Sequence, residues 1–424
     1  MRVLFKLLNK HSDLNLTLID QAIVSGVNFL TGLLLARFLG LEAFGVFTML
    51  WMVVMFVNSI QMAAISAPMM TIGVKYESQK ERDEYYSGVI AQQGVFSLIT
   101  FVAILVGVKL TAHFKPELNI ENLALPLALA AFFFQNQDFM RRYFFCHEKT
   151  SLVLISDVIS YLGQLAFILI MSAFFELSLV GVLWVIALTS AAAVVLLLSK
   201  VNIVAISLKT LLNSIQRNVH FSKWLIASAL MQWTSGNYFI ITAGVLLGPI
   251  AVGALKAAQN IVGVTHILFQ ALDNIVPIKA SQALINSKSD LTAYLKKVAL
   301  IGGVFVGMLC LVIGMFSSQI MSLIYGAQYA DYGLVLSAYS AIYMVIFLCL
   351  PLRAGLRALE VTKPIFYAYI VMSVFSLLTA ASLIVKWELI GALLGILITQ
   401  LLMLVILWLA FVMPKHKEKE NINA

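Results

Sequence analysis

The sequence predicts an all-α polytopic membrane protein with about twelve transmembrane helices, arranged as two six-helix bundles. The first reason is composition. Of the 424 residues, 61% are hydrophobic and only 11% are charged, whereas about a quarter of the residues in soluble globular proteins are charged. The second reason is that apolar runs long enough to cross a bilayer follow one another along most of the chain. The third is an internal repeat at a separation of about half the chain.

Hydropathy over a window of about nineteen residues delimits the individual spans. In chain order they are 17–38, 42–65, 87–110, 122–143, 151–174, 178–199, 222–247, 249–273, 298–322, 332–354, 364–386 and 388–412. The first run is too long for a signal-peptide core and no small-x-small cleavage site follows it, so we expect it to be retained as a span.

The repeat rests on three ordered matches. Asn28 precedes Gly40 and Gly45 as Asn237 precedes Gly248 and Gly253. The spacing of Gln61 and Pro68 equals that of Gln270 and Pro277, and the spacing of Arg141 and Glu148 equals that of Arg353 and Glu360. A nearly constant offset predicts a parallel repeat, with two halves related by an axis along the membrane normal. The predicted organisation is an N-terminal lobe at 1–199, a cytoplasmic linker at 200–221, a C-terminal lobe at 222–412 and a cytoplasmic tail at 413–424.

Positive charge predicts the orientation, because cytoplasmic loops of membrane proteins carry an excess of Lys and Arg. Most of the 28 basic residues fall in the N-terminal segment, in every second loop, in the linker and in the tail. Both termini are therefore predicted to be cytoplasmic. The basic residues at the N-terminus are Arg2, Lys6 and Lys10.

The stretch from Asp20 to Phe47 is predicted to be a helical hairpin with polar atoms inside the membrane. Its run SGVNFLTGLLLARFLGLEAFGVF closely resembles the first hairpin of bacterial oligosaccharide flippases and polysaccharide exporters. These belong to the multidrug/oligosaccharidyl-lipid/polysaccharide exporter superfamily. The resemblance implies a V-shaped pair of six-helix bundles in the bacterial cytoplasmic (inner) membrane. It also implies a flippase that moves an undecaprenyl diphosphate-linked oligosaccharide to the outer leaflet by alternating access, for O-antigen, lipopolysaccharide or other surface polysaccharide biosynthesis.

A diphosphate-sugar head needs cations for its phosphates, and amides, hydroxyls and aromatic faces for its sugars. Lys256 and Arg37 are the candidate cations, because they break the orientation rule. For Lys256 the alternatives are snorkelling to the outer surface or pairing with a distant acid, and for Arg37 the alternative is an interfacial anchor. The other substrate-binding candidates are Asn28, Asn237, Trp233, Tyr238, Gln61 and Gln270. Their alternatives are interhelical hydrogen bonds and, for the aromatic rings, packing against lipid.

Acidic residues near the cytoplasmic ends of spans are candidates for ion coupling. Asp138 is expected to pair with Arg142 at i+4 on its own helix. Asp20 and Asp157 have no such local partner, so either could carry a proton or a sodium ion during a transport cycle. Hydration at the cytoplasmic rim is the alternative for both.

Two other function classes were weighed against the flippase. A multidrug or organic-cation antiporter of the same superfamily should have an acidic cavity, against which the isolated Lys256 argues. A membrane glycan-modifying enzyme needs a positioned acid, base or metal. The six histidines form no paired motif, the three cysteines have no metal-like spacing and no nucleotide-binding G-x-x-x-x-G-K-[ST] loop occurs. We therefore expect a transporter with no catalytic residues, metal or cofactor. Its expected partners are lipid-linked oligosaccharide, membrane lipids and a polysaccharide polymerase or ligase, with no nucleic acid.

Overall fold

The computed structural model describes residues 12–202, 204–205 and 207–413, and within them the secondary structure is helical, without strands. The N-terminal basic residues Arg2, Lys6 and Lys10 and the predicted tail from Pro414 onward lie outside the described residues. Eight helical segments of the described chain are long and apolar enough to cross a membrane. The all-helical membrane fold expected from composition is confirmed. The count of twelve spans in two six-helix bundles stays a prediction.

The chain forms two compact units. The first unit contains residues 12–39 and 47–230, and the second contains residues 40–46 and 231–413. The helices of the first unit are α1 (Ser12–Leu39), most of α2 (Leu41–Gln61), α3 (Ala67–Ile72), α4 (Gln79–Phe114), α5 (Ala124–Cys146), α6 (Thr150–Asp157), α7 (Gly163–Phe174) and α8 (Leu179–Leu198). The start of α2, up to Val46, belongs to the second unit. The helices of the second unit are α10 (Pro249–Val262), α11 (Thr265–Asn286), α12 (Lys288–Met315), α13 (Ser317–Tyr325), α14 (Gly333–Ala358) and α15 (Lys363–Val412). Helix α9 (Leu208–Leu247) continues from the first unit into the second.

The predicted linker at 200–221 is partly helical, because α9 begins at Leu208. The first turns of α9 are fastened to the first unit by buried polar groups. Tyr85 donates its hydroxyl proton to Asn218 Oδ1 at 2.8 Å, and Asn218 Nδ2 donates to Gln92 Oε1 at 2.9 Å. Ser222 Oγ donates to the carbonyl of Ala64 at 3.2 Å. In a regular α-helix the carbonyl of Ala64 would accept a hydrogen bond from the backbone N–H of residue 68. That residue is Pro68, which has no N–H to donate.

Irregular backbone interrupts three of the long helical segments. A π-helical turn over Met62–Ser66 joins α2 to α3, and another over Val158–Leu162 joins α6 to α7. Near the middle of α15, Trp387 and Glu388 leave the helical conformation. This kink falls at the boundary that hydropathy predicted between spans 364–386 and 388–412. Single π-helical turns inside helices are often found at functional sites.

The two glycine motifs form one contact inside the second unit. Gly40 and Gly248 have φ angles of 82° and 87°, a conformation that glycine adopts without steric cost. A Cβ atom added at Gly45 would overlap the carbonyl of Pro249, and one added at Gly253 would overlap the carbonyl of Leu41. The second glycine of each motif therefore packs against the first residue of the other helix. The starts of α2 and α10 touch at both places.

We predict that Gly45→Ala destabilises the protein by about 1–3 kcal/mol, because an extra methyl group in a tightly packed contact forces the backbones apart. A lower melting temperature in detergent measures this. Gly236→Ala is the matched control, because a Cβ at Gly236 meets no atom within 4 Å. If both variants melt at the wild-type temperature, the close contact is not required for stability.

Candidate functional site

Arg141 holds two buried carboxylates together in the first unit. Its Nη2 atom donates to Asp20 Oδ2 at 2.7 Å, and its Nε atom donates to Asp157 Oδ2. The side chains of Asp20 and Asp157 are 1% and 0% exposed, and that of Arg141 is 11% exposed. These three residues, on α1, α5 and α6, are called the Arg141 cluster below. A buried carboxylate is costly without a partner, and here one guanidinium serves two.

Neighbouring polar groups complete the Arg141 cluster. Gln137 Nε2 donates to the remaining oxygen of Asp157, Oδ1, at 2.7 Å. Asp20 Oδ1 is buried without a hydrogen-bond partner among the described residues. With both acids ionised the cluster has one more negative than positive charge. It could therefore accept one proton or one monovalent cation.

The sequence places Asp20 and Asp157 among the candidate residues but misses Arg141, which it marks only as part of the repeat. No short-range pattern could reveal the pairing, because Arg141 reaches Asp20 across 121 residues of sequence. The local pair was predictable. Arg142 contacts Asp138 through two hydrogen bonds, at 3.1 and 3.2 Å, so the expected i,i+4 ion pair is confirmed.

Lys256 lies in the second unit on α10, where it is half-buried. Val252, Leu255 and Ala257 beside it on the helix are completely buried. Tyr325 donates its hydroxyl proton to the carbonyl of Ala257 at 3.1 Å, which holds α13 against this part of α10. Among the described residues no carboxylate forms an ion pair with Lys256. A lysine without an acid in an apolar stretch of helix is a candidate partner for an anionic ligand.

The remaining candidates in the second unit differ in their exposure. Asn237, Trp233 and Tyr238 are half-buried on α9, and Asn237 Nδ2 donates to the carbonyl of Trp233 at 3.0 Å. This bond within the helix uses one amide proton and leaves the other amide atoms available to a ligand. Gln270 on α11 is exposed.

The candidates in the first unit are also distributed between surface and interior. Asn28 and Arg37 are exposed on α1. Gln61 is completely buried, and its Nε2 atom donates to Ser66 Oγ at 2.9 Å and to Gln93 Oε1 at 3.0 Å. In this structure Gln61 therefore bonds to its own unit beside the π-helical turn. A role in substrate binding stays a prediction for these residues.

No group of three His, Cys, Asp or Glu side chains that could hold a metal ion occurs among the described residues. The cysteines are free, as the sequence indicated. The Arg141 cluster is different in kind, because in it an arginine neutralises carboxylates.

Residues 14–278 match the family described as polysaccharide biosynthesis protein. The chain belongs to this family. The relationship covers more than half of the sequence and includes α1, the Arg141 cluster and Lys256. A search of curated protein sequences found no match to this chain.

Solved structures show which fold the family member has. The lipid II flippase MurJ in an inward closed conformation aligns with a TM-score of 0.66 at 15% identity, over 92% of this chain and 86% of that one. An inward-facing multidrug resistance MATE family transporter of the MOP superfamily aligns with a TM-score of 0.68 at 12% identity, over 92% and 93%. A MOP superfamily transporter from Pyrococcus furiosus, described as having a binding pocket of reversed polarity, aligns with a TM-score of 0.54 at 13% identity, over 94% and 91%. The chain therefore has a MOP-type transporter fold.

We predict that Arg141→Ala destabilises the protein by about 3–5 kcal/mol, because it leaves two buried carboxylates without their cation. The loss of stability is measured by thermal melting in detergent, with the fraction of protein that stays monodisperse as the signal. Arg142→Ala is the comparison variant, because Arg142 is 27% exposed and its loss leaves one carboxylate without a cation rather than two, so the expected destabilisation is smaller.

Adding Asp157→Asn to Arg141→Ala should restore part of the lost stability, since it removes one of the two unpaired charges. Equal melting temperatures for Arg141→Ala and Arg142→Ala would show that the Arg141 cluster is not the main electrostatic constraint in the first unit.

Proposed function

We propose that this protein is a flippase that carries a lipid diphosphate-linked oligosaccharide from the cytoplasmic to the outer leaflet, for surface polysaccharide biosynthesis such as that of O-antigen. The observation that carries the proposal is Lys256, a half-buried cation on α10 without a carboxylate partner among the described residues. Membership of the polysaccharide biosynthesis protein family supports the sugar-linked substrate class. The MOP-type fold supports transport rather than catalysis.

The substrate's parts differ in what they require from the protein. A long lipid tail can stay in the bilayer, but a diphosphate-sugar head needs a polar path. The proposed cations for the diphosphate are Lys256 in the second unit and Arg37 in the first. Asn28, Asn237 and Gln270 are the proposed amides for sugar hydroxyls, and Trp233 and Tyr238 are the proposed ring faces. Gln61 is not available in this structure, because its side chain is completely buried and bonded to Ser66 and Gln93.

The alternative is a multidrug or organic-cation antiporter. A binding site for organic cations should contain carboxylates that face the ligand, but Asp20 and Asp157 are bonded to Arg141. The candidate in the second unit, Lys256, is itself a cation and would repel a cationic drug. These charges favour an anionic substrate.

Membrane voltage can drive the proposed transport outward. Moving negative charge out of an inside-negative compartment is favoured by about 2.3 kcal/mol per charge per 100 mV. We propose in addition that the Arg141 cluster is where a proton or a sodium ion is coupled to the cycle, because its two carboxylates exceed its one guanidinium in charge. The proposed location is the bacterial cytoplasmic membrane, with both termini in the cytoplasm. Membrane lipids and a polysaccharide polymerase or ligase are the proposed partners.

We predict that deleting the gene makes lipid-linked sugars accumulate on the cytoplasmic leaflet of cells that produce the glycan. Restoring the wild-type protein should relieve the accumulation, whereas Lys256→Ala should reduce transport about tenfold or more, since it removes a charge-assisted contact. The measurement is the leaflet orientation of extracted lipid-linked intermediates.

Lys109→Ala is the matched control for Lys256→Ala, because Lys109 is an exposed lysine on α4. Both variants must be present in the membrane at the wild-type level. If sugars reach the outer face without the gene, the flippase assignment is wrong and a cation-efflux assay replaces it.

We predict that collapsing the proton or the sodium gradient slows transport by the wild-type protein when the corresponding ion is coupled. Asp20→Asn should make transport insensitive to that gradient, since the amide cannot take up the ion's charge. Transport that is unaffected by collapsing each gradient in turn would contradict the coupling proposal. Asp138→Asn is the control, because Asp138 pairs with Arg142 instead.

A further inference from the structure

Arg353 in the second unit is a half-buried arginine that pairs with none of the described carboxylates. Its Nε atom is buried and has no hydrogen-bond partner among the described residues. It lies on α14, five residues before the end of that helix. Charged groups in such surroundings are normally paired or coordinated. None of the described acids neutralises the charge of Arg353, so a group from outside the protein is the candidate partner.

The geometry of the helix ends identifies Arg353 as the counterpart of Arg141. Two residues after α5 and α14 end, each chain segment has a glutamate in the left-handed conformation, Glu148 with φ 56° and Glu360 with φ 58°. The next backbone N–H donates back across each turn, from Lys149 to Phe144 at 3.0 Å and from Val361 to Leu356 at 2.8 Å. Each arginine precedes its glutamate by seven residues. The two side chains therefore occupy the same position relative to their helix end.

The two units differ in what surrounds this position. Asp157 follows Glu148 by nine residues, and the residue nine after Glu360 is Tyr369. The position of Asp157 is thus taken by a neutral side chain in the second unit. Among the described residues no acid neutralises Arg353 as Asp20 and Asp157 neutralise Arg141.

Other polar groups accompany Arg353. Helix α11, which carries His266, packs against α14. His266 is exposed, and its Nε2 atom lies 3.1 Å from the hydroxyl of Tyr343 on α14. Asp273 Oδ1, on the same helix α11, lies 3.9 Å from Arg357 Nη1 and forms its ion pair with that residue.

We propose that Arg353 on α14, with His266 on the neighbouring helix α11, is a binding site in the second unit for a phosphate or diphosphate group. A guanidinium offers several N–H donors in a planar fork that matches phosphate oxygens. An anion bound there would replace the two carboxylates that the equivalent arginine has in the first unit. If the anion is the head of the lipid-linked substrate, which rests on the proposed function, the site is separate from Lys256 on α10.

The proposal is tested with the purified full chain in lipid nanodiscs, with two probes, polyprenyl diphosphate without sugar and inorganic pyrophosphate. Ligand-induced increases in melting temperature and the corresponding dissociation constants are measured for Arg353→Gln and for the matched control Arg357→Gln. Loss of one charge-assisted contact should weaken binding by Arg353→Gln about 10- to 100-fold. Arg357→Gln should bind as the wild type does, because Arg357 is exposed and paired with Asp273.

Stability without ligand separates a binding role from a structural one. Arg353→Gln should melt at or above the wild-type temperature, because it removes a charge that is not neutralised, whereas Arg141→Gln should melt below it. The proposal is overturned if Arg353→Gln is destabilised like Arg141→Gln, if it binds both probes as the wild type does, or if the wild type binds neither. Binding of pyrophosphate would identify a soluble anion as sufficient, and binding of polyprenyl diphosphate alone would identify a lipid head.

The two proposals can fail separately. Loss of probe binding in Arg353→Gln, with no accumulation of lipid-linked sugars on the cytoplasmic leaflet after gene deletion, would leave the anion site valid and refute the flippase. Accumulation after deletion, with unchanged probe binding by Arg353→Gln, would leave the flippase valid and refute the anion site.

Discussion

The cost of a charge in an apolar helical bundle governs the interior of this protein. Where an acid is completely buried, as Asp20 and Asp157 are, a guanidinium lies against it. Where a cation has no acid, as at Lys256 and Arg353, it is half-buried, which leaves part of the side chain open to a ligand. Each ionisable side chain can thus be assigned to one of two states, neutralised inside the unit or available to a charged ligand.

Backbone geometry sets where these charges lie. The left-handed glutamates at the ends of α5 and α14 give Arg141 and Arg353 the same place relative to a helix end. Glycine supplies the other constraint, because Gly45 and Gly253 allow the starts of α2 and α10 to touch. The matched motifs therefore have local structural reasons, a turn that requires a left-handed residue and a contact that excludes a side chain. The six-plus-six repeat that these motifs suggest is a separate and larger claim.

The difference between the units is as informative as their likeness. One has an arginine with two acids, and the other has an equivalent arginine that pairs with no acid among the described residues. An ion-coupling role suits the first arrangement, since its net charge changes by one when a proton or a monovalent cation binds. An anion-binding role suits the second. This division would let one unit respond to the driving ion and the other hold the phosphate of the substrate.

The sequence by itself determined the membrane class, the helical content and the local features, because hydropathy, glycine spacing and i,i+4 pairs all act over short distances. The pair of Asp138 with Arg142 and the turns at Gly40 and Gly248 were predictable for this reason. Only the tertiary structure decided that Asp20 and Asp157 share Arg141, that Gln61 bonds to Gln93, and that Arg353 has no acid. These facts depend on which helices are neighbours, and packing between segments far apart in sequence selects those neighbours from many arrangements that the same apolar helices allow.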